Sequence, residues 1–227
     1  MPLPILSPQE TRVLGVLVEK QRTVPDTYPL SLNAIVAGCN QKTSRDPLMS
    51  VSDAQAQAVI DSLKGLSLVV ETSGGRVMRY AHNAERLLAL PSQSVAILAV
   101  LMLRGPQTAG ELRINSDRLH RFADISAVEG FLHELAARAA GALVIELERA
   151  PGTRETRWAQ LLAGIPAGDA VRATPRDADA PGPPARALAE LRDSVAALQD
   201  EVAALKAALA QLRTELGGAA PEPSDAT

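Results

Sequence analysis

Histidine, cysteine and clustered carboxylates are the side chains most able to do chemistry, and in this chain they are scattered. The histidines His82, His120 and His133 stand far apart, with no second ligand at the spacing of a metal site. The single cysteine, Cys39, cannot form an internal disulfide and falls on the apolar stripe of a predicted helix, where a small core residue is expected. The sequence has no phosphate-binding loop and no dinucleotide fingerprint. We therefore expect no enzyme activity, no metal and no cofactor.

Basic and polar side chains form the other candidate site, because Lys and Arg near a helix-turn-helix can grip phosphates. One group lies in the stretch "NQKTSRDPL", which links the second and third predicted helices and exceeds the usual turn length. Another surrounds the corresponding connection later in the chain, and the rest lie on two predicted hairpins. The candidate phosphate or partner contacts are Asn40, Gln41, Lys42, Thr43, Arg45, Arg76, Arg79, Arg113, Arg118, Arg121, Arg149, Arg154 and Arg157.

The elements that must position these residues begin with three helices and a hairpin. Ser7 to Glu10 reads as a capping box with proline at the first helical position. A second helix starts at Ser31, and the capping box from Ser52 to Gln55 starts a third. Two apolar, β-branched segments around Gly74 and Gly75 then predict a hairpin.

The same order then repeats. Residues 94–104 predict a helix, Thr108 to Glu111 caps a short second helix, and Ser126 to Glu129 is expected to cap a third. On that third helix His133 and Glu134 are expected to form a surface pair. Strands around Pro151 and Gly152 predict the second hairpin.

This repetition predicts a mainly α fold with small β-hairpins (α+β), arranged as tandem winged helix-turn-helix domains. The first domain is predicted over residues 5–84 and the second over residues 90–163. A disordered linker rich in Pro, Ala, Gly and Asp is expected over 164–185, and a loose tail over 218–227.

Between the linker and the tail, residues 186–217 carry an apolar seam in unbroken steps of three and four, which predicts a coiled coil. β-Branched residues at the a positions with leucine at d favour a parallel dimer. The unbroken register after the predicted linker favours self-association over a helix that packs back on the domains. The seam consists of Leu188, Leu191, Val195, Leu198, Val202, Leu205, Leu209, Leu212 and Leu216.

Composition and charge limit the classes of function. Hydrophobic residues make up 46 % of the chain but aromatic residues only 2 %, so the core must rest on aliphatic side chains. Residues 1–165 hold 17 Lys and Arg against 16 Asp and Glu, so this region has no global basic field. The first residues lack the pattern of a signal peptide, and no segment is long and apolar enough to span a membrane. The cytoplasm is the expected location.

Four stretches carry a family resemblance: "LSPQETRVLGVLVEKQ", "YPLSLNAIVAGCNQKTSRDP", "LMLRGPQTAGELR" and "PGTRETRW". Over residues 5–163 the chain closely resembles the YceH family of uncharacterised bacterial proteins. The resemblance implies tandem winged-helix domains with a C-terminal coiled coil, and no established activity. Ala109 departs from a family proline, and Trp158 and Gln160 stand where the family usually has Tyr and His. A role for that histidine is therefore in doubt here.

Two functions remain open. The fold and the clustered arginines favour, slightly, a regulator associated with double-stranded DNA and with weak sequence preference. The acidic residues of both third helices, Asp53 and Asp61 in one and Glu129 and Glu134 in the other, would repel phosphates and favour a protein–protein adaptor. The arginines are equally interpreted as ordinary surface residues, some of them paired with neighbouring carboxylates. In either case the expected assembly is a homodimer.

Overall fold

The computed structural model describes residues 5–73, 77–149 and 155–165. Every described element belongs to one compact unit within residues 1–174. Its helices are α1 (Pro8–Thr23), α2 (Leu32–Cys39), α3 (Asp53–Gly65), α4 (Ala84–Leu88), α5 (Ser92–Arg104), α6 (Ala109–Asn115) and α7 (Ile125–Ala136). Its strands are β1 (Leu30–Ser31), β2 (Val69–Ser73), β3 (Met78–His82), β4 (Val144–Glu146) and β5 (Trp158–Gln160). A short 3-10 turn, Pro25–Thr27, follows α1.

Five helices, α1, α2, α3, α6 and α7, begin at a side-chain cap, and the cap of α7 differs from the predicted one. Capping boxes form at the starts of α1, α3 and α6, as predicted. The cap predicted at Ser126 is wrong, because the side chain of Asp124 accepts the hydrogen bond from the backbone N–H of Ala127, at 2.8 Å. Asp124 has the extended backbone that a cap requires, and Ser126 already lies inside the helix.

The hairpins form two small antiparallel sheets. In the first half of the unit (α1 to β3) the strand order is β1-β3-β2, with Leu30 opposite Tyr80. In the second half (α5 to β5) β4 pairs with β5, and Gln107 forms an isolated bridge with Trp158. Gln107 therefore occupies the place of Leu30, just before a capped helix, and Trp158 the place of Tyr80. The two halves repeat the same connections.

A single hydrophobic core runs through both halves, joined where α1 packs against α5. Two glycines permit close packing against α1 and α5. A Cβ at Gly15 of α1 would lie 3.0 Å from Cγ of Leu103 on α5, and a Cβ at Gly38 of α2 would lie 2.6 Å from Cγ1 of Val16 on α1. The α1–α2 contact at Gly38 is closer than a side chain would allow, and the α1–α5 contact at Gly15 leaves little room for one.

The two ends of this unit meet, because the backbone N–H of Leu6 donates to the carbonyl of Leu162 at 2.7 Å. The predicted coiled coil (186–217) and tail (218–227) lie outside the described residues, as does the predicted linker beyond residue 165. Among the helices that the structure describes, none has the length and apolar character needed to cross a membrane.

Candidate functional site

The connection between α2 and α3, residues 40–52, contains the most distinctive of the predicted contacts. The Arg45 side chain is fully buried and forms a two-armed ion pair with Glu19 of α1. Its Nη2 lies 2.6 Å from Oε2 and its Nη1 3.1 Å from Oε1, and its Nε donates to the carbonyl of Gly38 at 3.0 Å. Arg45 was predicted as a phosphate or partner contact, and its guanidinium is bonded inside the fold.

Two of its predicted neighbours also have internal partners. The Asn40 side chain accepts from the backbone N–H of Val51 at 2.7 Å and donates to the Val51 carbonyl at 2.9 Å. Gln41 Oε1 accepts from Arg45 at 2.6 Å and from Lys20 at 3.2 Å. Lys42 and Thr43 are exposed. The polar residues of this connection therefore serve mainly to hold its shape.

Arg12 of α1 is a second buried arginine in this network, and sequence reasoning did not identify it. It is 1 % exposed, and it donates to the carbonyls of Cys39 at 3.2 Å and Pro47 at 2.6 Å. Beside it, burial raises the pKa of Cys39 to about 11, against the lowering effect of the two arginines. The thiol is therefore neutral and behaves as a core residue, not as a nucleophile.

The same connection is bonded to the C-terminal end of α5. The backbone N–H of Asp46 donates to the carbonyl of Leu103 at 2.8 Å, and Arg104 donates to Oγ of Ser44 at 2.7 Å. Since α5 opens the second half, residues 40–52 tie the two halves together. The sequence indicated that this connection is longer than a usual turn. In the structure the additional residues form its hydrogen bonds to α5.

The predicted contacts on the hairpins and in the second half lie at the surface. Arg79 donates to the carbonyls of Thr27 and Pro29, at 3.2 and 2.8 Å. Arg149 and Arg157 are exposed on the second hairpin, and Arg76 and Arg154 lie outside the described residues.

Arg113 lies on α6, Arg118 and Arg121 lie in the connection from α6 to α7, and all three are exposed. Arg113 donates to the carbonyl of Ala123 at 3.3 Å, and Arg121 lies 3.8 Å from Asp117. Such exposed pairs are weak, so these guanidinium groups stay accessible to an anion.

A second candidate site is a cavity of about 310 Å³ between α7, the start of α6 and the β4–β5 hairpin, here called the α7 groove. Trp158 forms its inner wall and is 4 % exposed, while Ile125 at its edge is 47 % exposed. The His133 ring meets the Trp158 ring edge-on, with centroids 5.4 Å apart. The lining is Ala109, Gly110, Ile125, Glu129, His133, Glu146, Arg149, Glu155, Thr156 and Trp158.

Carboxylates are the main charged groups among the described residues that line the α7 groove. Glu129, Glu146 and Glu155 line it together with the guanidinium of Arg149. Glu146 also accepts a hydrogen bond from Oγ1 of Thr156 at 2.6 Å. The third helix thus presents an acidic face here, as the sequence indicated, but that face belongs to a concave site.

The equivalent groove of the first half is bridged by its own side chains. Glu71 lies opposite Tyr80 in the first hairpin, as Glu146 lies opposite Trp158 in the second. In the first half Lys64 of α3 crosses to Glu71, and the Tyr80 hydroxyl donates to Gln57 at 3.4 Å.

The residue at the Lys64 position in the second half is Ala136. The registers match because the carbonyl of Leu63 accepts from Leu68 just as the carbonyl of Leu135 accepts from Leu143. A long cationic side chain of the third helix is thus replaced by a methyl group. Sequence reasoning missed this site, although Glu129 and His133 are four residues apart and so share one face of α7.

The described residues hold no group of three or more His, Cys, Asp or Glu side chains arranged to bind a metal ion. The α7 groove offers carboxylates, an imidazole and an apolar wall. Its volume is at the small end of the range for ligand pockets, roughly 300–1,000 Å³.

Comparison with known proteins gives one consistent result. The model of the family described as "Protein of unknown function, DUF480" matches residues 6–153. A "UPF0502 protein" of Dechloromonas aromatica (strain RCB) is 65 % identical over 163 residues, covering 72 % of this chain and 76 % of the relative. Another, from Cupriavidus necator, is 62 % identical over 182 residues, covering 78 % of this chain and 74 % of the relative.

Proposed function

The chain belongs to the DUF480 family, whose description names no activity, and from the geometry of the α7 groove we propose that it is a non-enzymatic protein–protein adaptor. The observation that carries the proposal is the α7 groove itself, a cavity of about 310 Å³ with Trp158 as its inner wall and the exposed Ile125 at its edge. A concave site with an apolar wall and a few charged groups is typical of a recognition surface.

In the first half, two observations favour a protein partner over DNA. Arg45 was one of the candidates there for a phosphate contact, and it is buried against Glu19. The exposed positions on α3 include Asp53 and Asp61, which would face phosphates unfavourably. An acidic helix beside a groove suits a protein partner better than a nucleic-acid backbone.

The proposal includes a finer architecture. Each half is taken as a winged helix-turn-helix module, with α3 or α7 as the third helix and the following hairpin as the wing. Residues 186–217 are taken as a parallel coiled coil that pairs two copies, so that one assembly presents two α7 grooves. This is the architecture that the resemblance to the YceH family implies, with the cytoplasm as the proposed location.

Affinity capture with matched variants tests the adaptor function. The full chain is immobilised as wild type, as Glu129→Lys in the groove, and as Glu134→Lys, which makes the same charge change on the same helix outside the groove lining. We expect one protein in stoichiometric amount with wild type and Glu134→Lys, and its loss with Glu129→Lys. Capture of no stoichiometric protein, or equal capture by both variants, would overturn the proposal.

DNA association is the second candidate, and the exposed cluster of Arg113, Arg118 and Arg121 favours it. Its test is titration of a mixed-sequence duplex at increasing salt, with wild type and with Arg118→Glu combined with Arg121→Glu. If the cluster contacts phosphates, the double variant should bind more weakly and the salt slope should fall by about one per contact removed. A wild-type protein that shows no salt-dependent binding to duplex would eliminate this candidate.

A further inference from the structure

We propose that a second surface of the protein, a cavity beside α6, binds a partner segment that combines acidic and apolar side chains. The cavity has a volume of about 260 Å³ and is here called the α6 pocket. The inference rests on the proposed adaptor function and adds to it a docking site that shares no lining residue with the α7 groove. The lining is Arg113, Ile114, Asp117, Arg121 and Phe122.

The charged groups of the α6 pocket favour a carboxylate ligand. Among the described residues that line it, the guanidinium groups of Arg113 and Arg121 stand against the carboxylate of Asp117. Arg113 donates to the carbonyl of Ala123 at 3.3 Å, and Arg121, whose side chain is 88 % exposed, lies 3.8 Å from Asp117. The carboxylate of Asp124 in the same connection is engaged in capping α7. Because a guanidinium presents several N–H donors, both arginines keep donors for an incoming carboxylate.

The α6 pocket also has an apolar part, which a purely ionic ligand would not use. Ile114 is 71 % exposed and lies at the rim, whereas Phe122 is 4 % exposed and forms the floor. The Phe122 ring is held by edge-on contacts with the rings of His120 and Phe131, at centroid distances of 4.7 and 5.8 Å. An apolar side chain placed on Ile114 would remove apolar surface from water, which favours binding.

The first half shows that the packing of this helix does not require these groups. Both α2 and α6 begin at a side-chain cap, and counting from the caps places Val36 and Ala37 where Arg113 and Ile114 stand. The residue before each pair is fully buried in both helices, so the registers agree. The first half thus folds with a partly buried valine and an exposed alanine at these positions. In the second half the guanidinium and the large apolar side chain are both available to a partner.

A peptide suits the α6 pocket better than duplex DNA does. A phosphate backbone would use the guanidinium groups but would gain nothing from Ile114, and it would meet the carboxylate of Asp117. A peptide can place a carboxylate on the arginines and a neighbouring apolar side chain on Ile114. The volume also lies below that of pockets that enclose small-molecule ligands, roughly 300–1,000 Å³, which fits a segment that inserts one side chain.

Fluorescence anisotropy with labelled probes tests the inference. The first probe, the Glu-Leu peptide, is a short fluorescein-labelled peptide that repeats Glu-Leu-Glu-Ser. In the second probe Ser replaces Leu, in the third Lys replaces Glu, and the fourth is a fluorescein-labelled duplex of mixed sequence. Each probe is titrated with the full chain at low ionic strength.

The proteins are wild type, Arg121→Gln and Ile114→Ala, with a matched control for each variant. Arg118→Gln removes the same charge from an exposed arginine of the same connection that does not line the α6 pocket. Leu48→Ala shortens an exposed apolar side chain in another part of the fold. Circular dichroism of each variant shows that it is folded.

We expect the Glu-Leu peptide to bind saturably to wild type and to both controls, and about fivefold more weakly to Arg121→Gln and to Ile114→Ala. The peptide without Leu should bind equally weakly to wild type and to Ile114→Ala, because it makes no contact with Ile114.

Four results would each overturn the inference. They are no saturable binding of the Glu-Leu peptide, an unchanged affinity of either pocket variant, an equal loss with Arg118→Gln, and an equal affinity of the Lys-containing peptide. A duplex that binds more tightly than the Glu-Leu peptide and loses affinity with Arg121→Gln would assign the arginines to nucleic acid instead.

The two proposals can fail separately. If capture recovers a stoichiometric partner that depends on Glu129 but the Glu-Leu peptide does not bind, the adaptor function stands and the α6 pocket is not a docking site. If the peptide binds with the expected dependence but wild type captures no stoichiometric protein, the chemistry of the α6 pocket stands and the adaptor function is wrong.

Discussion

Arg45 of the connection between α2 and α3 forms a two-armed ion pair with Glu19 of α1, at 2.6 and 3.1 Å. The Arg45 side chain is fully buried in this pair. Burial by itself would raise the pKa of Glu19, but the hydrogen bond and charge of Arg45, followed by those of Lys20, hold it below its usual value. Glu19 thus remains ionised and keeps the 40–52 connection against α1.

Replacing Arg45 by Met should destabilise the fold by about 3–5 kcal/mol, because it leaves the Glu19 carboxylate buried without its main partner. Urea unfolding at neutral pH measures the change. The matched control is Lys42→Met in the same connection, which should change stability by less than about 0.5 kcal/mol because Lys42 is exposed. Equal stability of Arg45→Met and wild type would show that the ion pair does not hold this connection.

Stability should fall as the pH drops below neutrality, because of His82. Burial lowers the pKa of His82 to about 4, so the folded state keeps it neutral while the unfolded chain binds a proton near pH 6.5. The stability that the neutral ring contributes is therefore complete above pH 6.5 and is lost progressively towards pH 4, by up to about 3 kcal/mol. His82→Gln should show a flatter dependence between these values. An unchanged slope would place the acid sensitivity in other groups.

Two glycine-to-alanine substitutions should have opposite effects. At Gly130 in α7 an added Cβ meets nothing within 4 Å, so Gly130→Ala should stabilise the fold by about 0.5–1 kcal/mol through helix propensity. At Gly38 it would lie 2.6 Å from Cγ1 of Val16, so Gly38→Ala should destabilise the fold by about 1–3 kcal/mol. Thermal unfolding of both variants measures the difference, and the same sign for both would contradict the packing of α1 on α2.

Ala136→Lys should place a long cationic side chain at the position in the second half that Lys64 has in the first half. The new side chain would reach across the α7 groove, as Lys64 reaches across to Glu71. We expect the stoichiometric partner no longer to be captured, with the fold retained, because Ala136 is only partly buried at the last turn of α7. Ala137→Lys, one residue further along, provides the control. If both variants bind like wild type, the equivalence of Ala136 and Lys64 is wrong.

The seam predicted over residues 186–217 should control assembly. A chain ending at residue 165 should sediment as a monomer and the full chain as a dimer. Leu198→Asp combined with Leu205→Asp in the full chain should convert the dimer to a monomer without changing thermal unfolding of the first 165 residues. Monomers for both lengths would remove self-association from the proposal.

Much of the fold could be predicted because its causes are local. Capping residues and apolar spacing fixed where α1, α3 and α6 begin, and the order of helices and hairpins follows from such signals. The role of Arg45 could not be predicted in this way, because arginine is rarely buried without a partner and its partner Glu19 is distant in sequence. Asp124 was overlooked as a cap because Ser126 begins a similar pattern two residues later.

The candidate site illustrates the same limit. Glu129 and His133 could be placed on one face of α7 from their spacing, but the opposite wall is Trp158, which arrives through the hairpin. A comparison of the two halves also requires the register of their strands, which cannot be read from the sequence. The structure provides it through the pairing of Glu71 with Tyr80 and of Glu146 with Trp158.

The hydrogen bond from Leu6 to Leu162 has a topological consequence. Because the first and last described segments lie side by side, the chain nearly closes into a ring, and a circular permutant that joins them should retain the whole core. Separating the two halves would instead remove the contact between α1 and α5 and expose the apolar faces of both helices to water. The two halves therefore form one folding unit, and neither half is expected to fold without the other.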